Sequence, residues 1–117
     1  MDEADRVAVV LDDIARFAVT AARVVGRGPE PFFDPDDDDQ RRIAKSVLID
    51  LSTAADRLPE SFRQQHPDIN WSGIRAVRNF IAHDYAGTDI QILWRAIAVE
   101  FPRIVAQLES ASPMPEE

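Results

Sequence analysis

The sequence contains no cysteine and only two histidines, which limits the chemistry open to its side chains. Without cysteine there is no disulfide and no thiolate ligand, a composition that fits a reducing cytosol. His66 and His83 are too few for a typical protein-built metal site, so we expect neither a metal nor another cofactor.

The chain also lacks any long apolar run. No stretch approaches the length of a membrane span, and the opening MDEADRVAVV is acidic where a secretion signal is basic. We therefore expect a cytoplasmic protein without a membrane partner.

Basic residues are scarce for a nucleic-acid binder. The chain has 13 Lys and Arg against 21 Asp and Glu, a net charge of −8. Because neutralisation of phosphate dominates nucleic-acid affinity, this balance argues against a broad binding surface, and no DNA partner is expected. The charge is uneven, however. No acid occurs from Trp71 to His83, whereas Arg75 and Arg78 do, which is compatible with a locally cationic site.

Hydrophobic periodicity predicts an all-α fold with no strand. The last of the predicted helices contains Pro102, where we expect a kink. The four main helices are predicted at about residues 5–25, from the acidic run to 58, at 71–83 and at 88–110. The expected architecture is a four-to-five-helix antiparallel bundle, with residues 1–110 as a single helical domain and 111–117 as a flexible C-terminal tail.

A run of aspartates, DPDDDD, precedes the second helix. Carboxylates at a helix N-terminus complement the helix dipole and cap free amides, which is the interpretation that we favour. A calcium loop does not fit, because the sixth position from Asp34 is Asp39 rather than glycine and the twelfth is Lys45 rather than glutamate.

The other connections carry aromatic and polar residues. Phe32 and Phe33 lie in a predicted loop and are expected to pack inward. The segment ESFRQQHPDIN is predicted to be a polar connector broken by Pro67, and Asn70 at its end can cap the third helix. Ile43 is expected on the apolar stripe of the second helix.

The stretch RNFIAHDY, at residues 78–85, concentrates polar groups on an apolar frame. Asn79 and His83 share a helix face, as do Arg78 and Tyr85, but Arg78 and His83 are about 140° apart on a regular helix. Either the helix loosens before His83, or two copies meet across a dimer axis and one chain's histidine completes the other chain's arginine.

This group of side chains suits phosphodiester chemistry. Histidine is the usual general acid or base, and arginine holds phosphate through paired hydrogen bonds. With the ribose 2′-hydroxyl as nucleophile, RNA cleavage needs no metal-activated water. The alternative is structural: Arg78, His83 and Tyr85 would form a hydrogen-bond cluster that fixes the packing of the third helix.

Arg78-Asn79-x-x-x-His83-x-Tyr85 resembles the Arg-x-x-x-x-His-x-Tyr motif of the HEPN superfamily, specifically of HepT-type toxins. The flanks extend the resemblance, since HPDINWSGIRAVRNFIAHDYAGTDIQILWRAI is similar to that family's stretch around the motif. AADRL, at residues 54–58, resembles the end of its second helix. The match covers about residues 47–108.

The resemblance implies a HEPN-like bundle that forms a homodimer through the motif helix. It implies that Arg78 and His83 are the catalytic residues of a metal-independent endoribonuclease acting on RNA such as tRNA or mRNA, with Asn79 in support. Arg75, one turn before Asn79, is expected to contact RNA.

The resemblance further implies a type VII (HEPN/MNT) toxin–antitoxin system. Its antitoxin is an MNT-type nucleotidyltransferase, which would transfer AMP from ATP to Tyr85 and so block the RNA-binding cleft.

The chain departs from the family pattern in its second helix. Ser52 and Thr53 stand where members commonly have Gly-Glu, and Asp84 lies between His83 and Tyr85. The alternative function is therefore a catalytically inactive HEPN-fold module that binds nucleotide or regulates a partner nucleotidyltransferase. A purely structural helical dimer is a third interpretation.

Overall fold

The computed structural model describes residues 2–83 and 89–111, and within these ranges the protein is all-α, as predicted. A π-helical segment, Ala96–Glu100, joins the last two α-helices. The α-helices are α1 (Glu3–Gly26), α2 (Pro29–Phe33), α3 (Asp39–Asp56), α4 (Glu60–Gln65), α5 (Trp71–Ala82), α6 (Ile90–Arg95) and α7 (Phe101–Ala111). The four long predicted helices correspond to α1, α3, α5 and the α6–α7 segment.

The core lies where α3 packs against α1 and α5, with α7 closing the other side of α1. Each long helix contributes one apolar face. Those faces include Val10, Ile14 and Val24 from α1, Ala44, Val47, Leu48 and Leu51 from α3, Ile74 and Ile81 from α5, and Phe101, Ile104 and Leu108 from α7. Ile43 does not join them: it is 37% exposed, and Ala44 takes the buried position instead.

Helix α2 replaces the predicted loop. Pro29 at its first turn has a φ angle suited to a helix start, and the preceding Gly28 adopts a φ of 86°, which favours glycine. Phe32 is fully buried and lies 4.9 Å, centroid to centroid, from Trp94. Arg41 of α3 donates hydrogen bonds to the carbonyls of Phe32 and Asp34, at 2.7 and 2.8 Å, and so holds α2 against α3.

The aspartate run folds on itself before α3 begins. Asp34 and Asp37 each accept a hydrogen bond from the backbone N–H two residues on, at 2.8 and 2.9 Å. Asp38, at the N-cap position, makes no capping bond with its side chain and instead pairs with Arg42 at 2.8 Å. That hydrogen bond lowers the pKa of the Asp38 carboxyl. The expected capping of a free amide is made by Asp37, because Asp39, whose N–H it accepts, is the first residue of α3. Asp39, in the first turn, agrees with the dipole argument.

The polar connector contains a helix that the sequence analysis did not predict. Helix α4 follows Pro59, and its Phe62 is buried. The Phe62 ring lies 4.5 Å from the imidazole of His66, centroid to centroid, so an aromatic contact closes the end of this helix.

The expected kink at Pro102 takes the form of the π-helical segment just before it. Proline has no N–H and its ring crowds the carbonyl four residues earlier, which here belongs to Ala98. The N–H of Phe101 bonds to the carbonyl of Ala96, five residues back, so the ladder widens before it reaches the proline. Ile97 and Phe101 remain buried across the widened turn.

In the part of the chain that the structure describes, no helix has both the length and the apolar character to cross a membrane. The division into a domain at 1–110 and a tail at 111–117 stays a prediction, and residues 112–117 lie outside the described residues.

Two valines on α1 allow a matched test of the core. Val24 is 2% exposed and Val19 is 53% exposed. We expect Val24→Ala to lower the free energy of unfolding by about 2 kcal/mol, through lost burial and the cavity left behind. Val19→Ala should change it by less than about 0.5 kcal/mol. Because both changes alter helix propensity equally, urea denaturation of the pair isolates burial, and equal effects would contradict the placement of α1.

Candidate functional site: the exposed face of helix α5

Among the described residues, helix α5 packs mainly against α3. Ile74 and Ile81 are buried against α3, while Val77 and Phe80 are half-buried at the margins. The described polar residues of the motif, Arg78, Asn79 and His83, are exposed. Since the apolar positions recur at helical spacing along one stripe, the sequence itself dictates which face is left open.

The start of α5 is held by local hydrogen bonds. Asn70 accepts a bond from the N–H of Gly73 at 2.9 Å, which confirms the predicted cap. The indole N–H of Trp71 donates to the carbonyl of His66 at 3.0 Å. At Gly73 there is no room for a side chain, because an added Cβ would lie 2.6 Å from Cγ of Asn70. The glycine therefore gives space to the cap.

Arg75 and Arg78 share an acidic neighbour. Nη1 of Arg78 donates to Oδ2 of Asp56 at 3.1 Å, and Nη2 of Arg75 lies 4.0 Å from Oδ1 of the same residue. All three side chains remain substantially exposed. The absence of acids from Trp71 to His83 predicted a cationic patch, but the fold brings a carboxylate to it from the end of α3.

His83 ends the helix without disturbing it. Its N–H bonds to the carbonyl of Asn79 at 3.0 Å, so the regular ladder continues up to this residue, which then leaves helical geometry with φ −102° and ψ 21°. The helix does not loosen before His83. Arg78 and His83 therefore lie about 140° apart around the helix, with Asn79 on the side of His83. His83 faces away from the buried Ile74 and Ile81, whereas Arg78 lies nearer to α3, where it reaches Asp56.

Tyr85 and Asp84 lie outside the described residues, so the structure adds nothing to the predictions made for them. The two departures in α3 differ in environment. Ser52 is 2% exposed and belongs to the core, whereas Thr53 is exposed.

Within the described residues, the outer side of α5 is exposed surface. Two clefts of about 380 and 400 Å³ are lined by α1, the π-helical segment and α7, and no residue of α5 lines either of them. An exposed imidazole, a carboxamide and two guanidiniums on an open surface suit an extended, phosphate-bearing ligand better than an enclosed small molecule.

Among the described residues, one group of carboxylates lies close enough together to hold a metal ion. Ligand oxygens of Asp37, Asp38 and Asp39 lie within 4.8 Å of one another, but all three residues are exposed, and such acidic clusters commonly occur without an ion. No described residue of α5 belongs to this group.

Residues 13–111 match the family model of HepT-like ribonucleases. The chain belongs to this family. The matched range includes α5 and the helix α3 on which it packs.

Three HepT-like relatives illustrate the similarity. A protein that carries the provisional name of RNase, from Caldanaerobacter subterraneus subsp. tengcongensis, is 30% identical over 69 residues, which are 59% of this chain and 61% of the relative. A protein named with reservation as ribonuclease HepT, from Thermococcus cleftensis, is 27% identical over 59 residues, which are 50% of this chain and 54% of the relative. A provisionally named RNase from Methanocaldococcus jannaschii is 26% identical over 70 residues, which are 60% of this chain and 57% of the relative.

The chain thus spans between half and two thirds of the length of the curated relatives that it matches. No solved structure matches it significantly.

The contact between Gly73 and Asn70 allows a test of whether the cap of α5 depends on the glycine. In a helix, Gly→Ala usually stabilises by about 0.5–1 kcal/mol. Here we expect Gly73→Ala to give no gain or a loss, because the new Cβ displaces a cap that contributes about 1 kcal/mol. In an Asn70→Ala background the usual gain should return. Thermal unfolding of the four proteins measures this coupling, and additive effects would show that the cap does not depend on the glycine.

Proposed function

We propose that this protein is the toxin ribonuclease of a HEPN/MNT toxin–antitoxin system, a metal-independent endoribonuclease with Arg78 and His83 as its catalytic residues. The observation that carries the proposal is the regular course of α5 up to His83, which leaves both side chains exposed but about 140° apart around the helix. Membership of the HepT-like ribonuclease family and the names of the relatives support the same activity.

In the proposed reaction, the RNA ribose 2′-hydroxyl attacks the adjacent phosphorus and the bond to the 5′-oxygen of the next nucleotide breaks. The products are a 2′,3′-cyclic phosphate and a free 5′-hydroxyl. Arg78 holds the phosphate and stabilises the charge that develops on it. His83 transfers a proton as general acid or base, and Asn79, one turn away on the same side, orients it. Arg75 extends the contact along the RNA backbone.

The proposed site is shared between two copies of the chain. A twofold axis on the exposed face of α5 would place His83 of one protomer beside Arg78 of its partner, and the composite site would then occur twice. Such an interface is supported by the exposure of this face among the described residues and by the small residues Ala76 and Ala82 on it.

The shared site predicts complementation between inactive variants. We expect His83→Ala and Arg78→Ala each to reduce RNA cleavage by about 10²–10⁴-fold, while circular dichroism stays unchanged. After mixing and reassociation, activity should return to about a quarter of the wild-type level, since half of the dimers are mixed and each holds one intact site. Cleavage of a labelled single-stranded RNA in the presence of EDTA provides the measurement.

A mixture that stays inactive, with dimers shown by sedimentation, would place both residues of one site in the same protomer. Full activity of either single variant would remove that residue from the catalytic role. Unfolding of a variant would instead support the structural interpretation of the motif.

Neutralisation is proposed to occur by AMP transfer from ATP to Tyr85, catalysed by an MNT-type nucleotidyltransferase antitoxin. The hydroxyl oxygen of Tyr85 loses its proton and bonds to the α-phosphorus, and pyrophosphate leaves. Tyr85 is the only tyrosine in the chain, and it follows the end of α5 closely. The added phosphate would bring negative charge to the end of the helix that carries Arg78 and so compete with RNA for that guanidinium.

Intact-mass measurement tests this step. With ATP and the nucleotidyltransferase, we expect the wild-type chain to gain the mass of one AMP group and to lose RNA cleavage, whereas Tyr85→Phe gains none. Equal labelling of Tyr85→Phe would identify another acceptor. Labelling of neither protein would mean that neutralisation occurs by binding alone.

A second function is favoured by the ion pairs at the site. Because Asp56 partly neutralises Arg78 and Arg75 on a chain of net charge −8, a catalytically inactive HEPN-fold module that binds nucleotide or regulates its partner enzyme is also consistent with the surface. RNA that stays intact with wild-type protein, together with retained binding to the nucleotidyltransferase, would favour this module.

A further inference from the structure

The carboxylate of Asp56 contacts the two arginines of α5 with different oxygens. Oδ2 accepts the 3.1 Å hydrogen bond from Arg78, and Oδ1 lies 4.0 Å from Nη2 of Arg75. Because residues three apart on a helix are neighbours on its surface, one carboxylate can reach both guanidiniums. The bond from Arg78 uses one of the five N–H groups of a guanidinium, so the same side chain can still bind a phosphate through another edge.

The position of Asp56 on its own helix is unfavourable without these partners. It is the last residue of α3, where the partial negative charge of the helix dipole repels a carboxylate. Arg57, its neighbour in sequence, pairs with Asp13 of α1 at 2.9 Å. The cations of α5 are therefore the groups that offset the repulsion, and they link the end of α3 to the face of α5.

We propose that Asp56 is a positioning residue and a counter-charge of the RNA site. It fixes the orientation of the Arg78 guanidinium, and its negative charge limits the affinity of the two arginines for the RNA backbone. This inference rests on the proposed function, because the group that Arg78 positions is the scissile phosphate.

Two substitutions separate the two roles. Asp56→Asn removes the charge but keeps an oxygen that can accept the bond from Arg78, whereas Asp56→Ala removes both. Binding is measured with a single-stranded RNA whose 2′-hydroxyls are methylated and cannot act as nucleophiles, over a range of salt concentrations. Turnover is measured with the unmodified RNA at saturating concentration.

Both variants should bind the methylated RNA more tightly than wild type, by about threefold to tenfold at low salt, because one unit of nearby negative charge is lost. The slope of log affinity against log salt should steepen by about 0.7, the value for one additional phosphate contact on a single strand. For turnover, kcat of Asp56→Asn should stay within about twofold of wild type, whereas kcat of Asp56→Ala should fall by about tenfold, as expected for a misplaced phosphate-binding group.

Asp50→Asn is the matched control. Asp50 is another exposed acid on α3, and its substitution changes the net charge of the protein by the same amount. Asp50→Asn should leave the affinity and its salt dependence close to those of wild type. In an Arg78→Ala background the gain in affinity from Asp56→Asn should shrink, because one of the two cations that Asp56 opposes is gone.

The results separate this inference from the function on which it rests. Suppose that wild type cleaves RNA. Equal RNA affinities of Asp56→Asn and Asp50→Asn, or equal kcat values of Asp56→Asn and Asp56→Ala, would then overturn the proposal. Either result would mean that Asp56 forms a surface ion pair only. If wild type cleaves no RNA, the ribonuclease function fails, and the binding measurements alone still decide the counter-charge role. Absence of RNA binding by every variant overturns both.

Discussion

The burial of α3 on two sides is the constraint on which the rest of this structure depends. Ala44 and Ala54 are completely buried, and Ser52 and Ala55 nearly so, which allows α1 and α5 to approach α3 closely. Each alanine buries little area, but the close approach that it allows brings the helices into dense contact. Dense packing contributes to stability because it leaves no unfilled volume in the interior. The same packing orients α5, since only a face opposite Ile74 and Ile81 can remain open.

That orientation also decides the electrostatics of the site. The sequence of α5 contains cations and no acids. The carboxylate near them is that of Asp56, which belongs to α3, and the apolar contacts of α3 set the direction of that helix. Exposed ion pairs contribute about 0–1 kcal/mol to stability, so this one does not hold the fold together. In the proposed function its effect is on ligand binding, because the negative charge of a carboxylate about 3 Å from a guanidinium opposes the binding of a phosphate to the other N–H groups of that guanidinium.

The long helices could be predicted from the sequence because their apolar stripes are several turns long. Helices α2 and α4 could not, since five or six residues give less than two turns of pattern. What stabilises them is tertiary: the burial of Phe32 and Phe62, and the hydrogen bonds from Arg41. In the site, the spacing of the sequence predicted the exposed helix face and the cap at Asn70. It did not predict the contact between Asp56 and Arg78, because these residues are 22 positions apart.

A regular helix that carries Arg78 and His83 about 140° apart has a consequence for the control of activity in the proposed arrangement. Neither side of one helix holds both the proposed phosphate-binding group and the proposed proton-transfer group, so a lone protomer would be inactive. Activity then depends on protomer concentration as well as on any modification. The acidic surface, of net charge −8, adds to this dependence because like-charged protomers repel, so the apolar and small residues of the α5 face must outweigh that repulsion for the site to form.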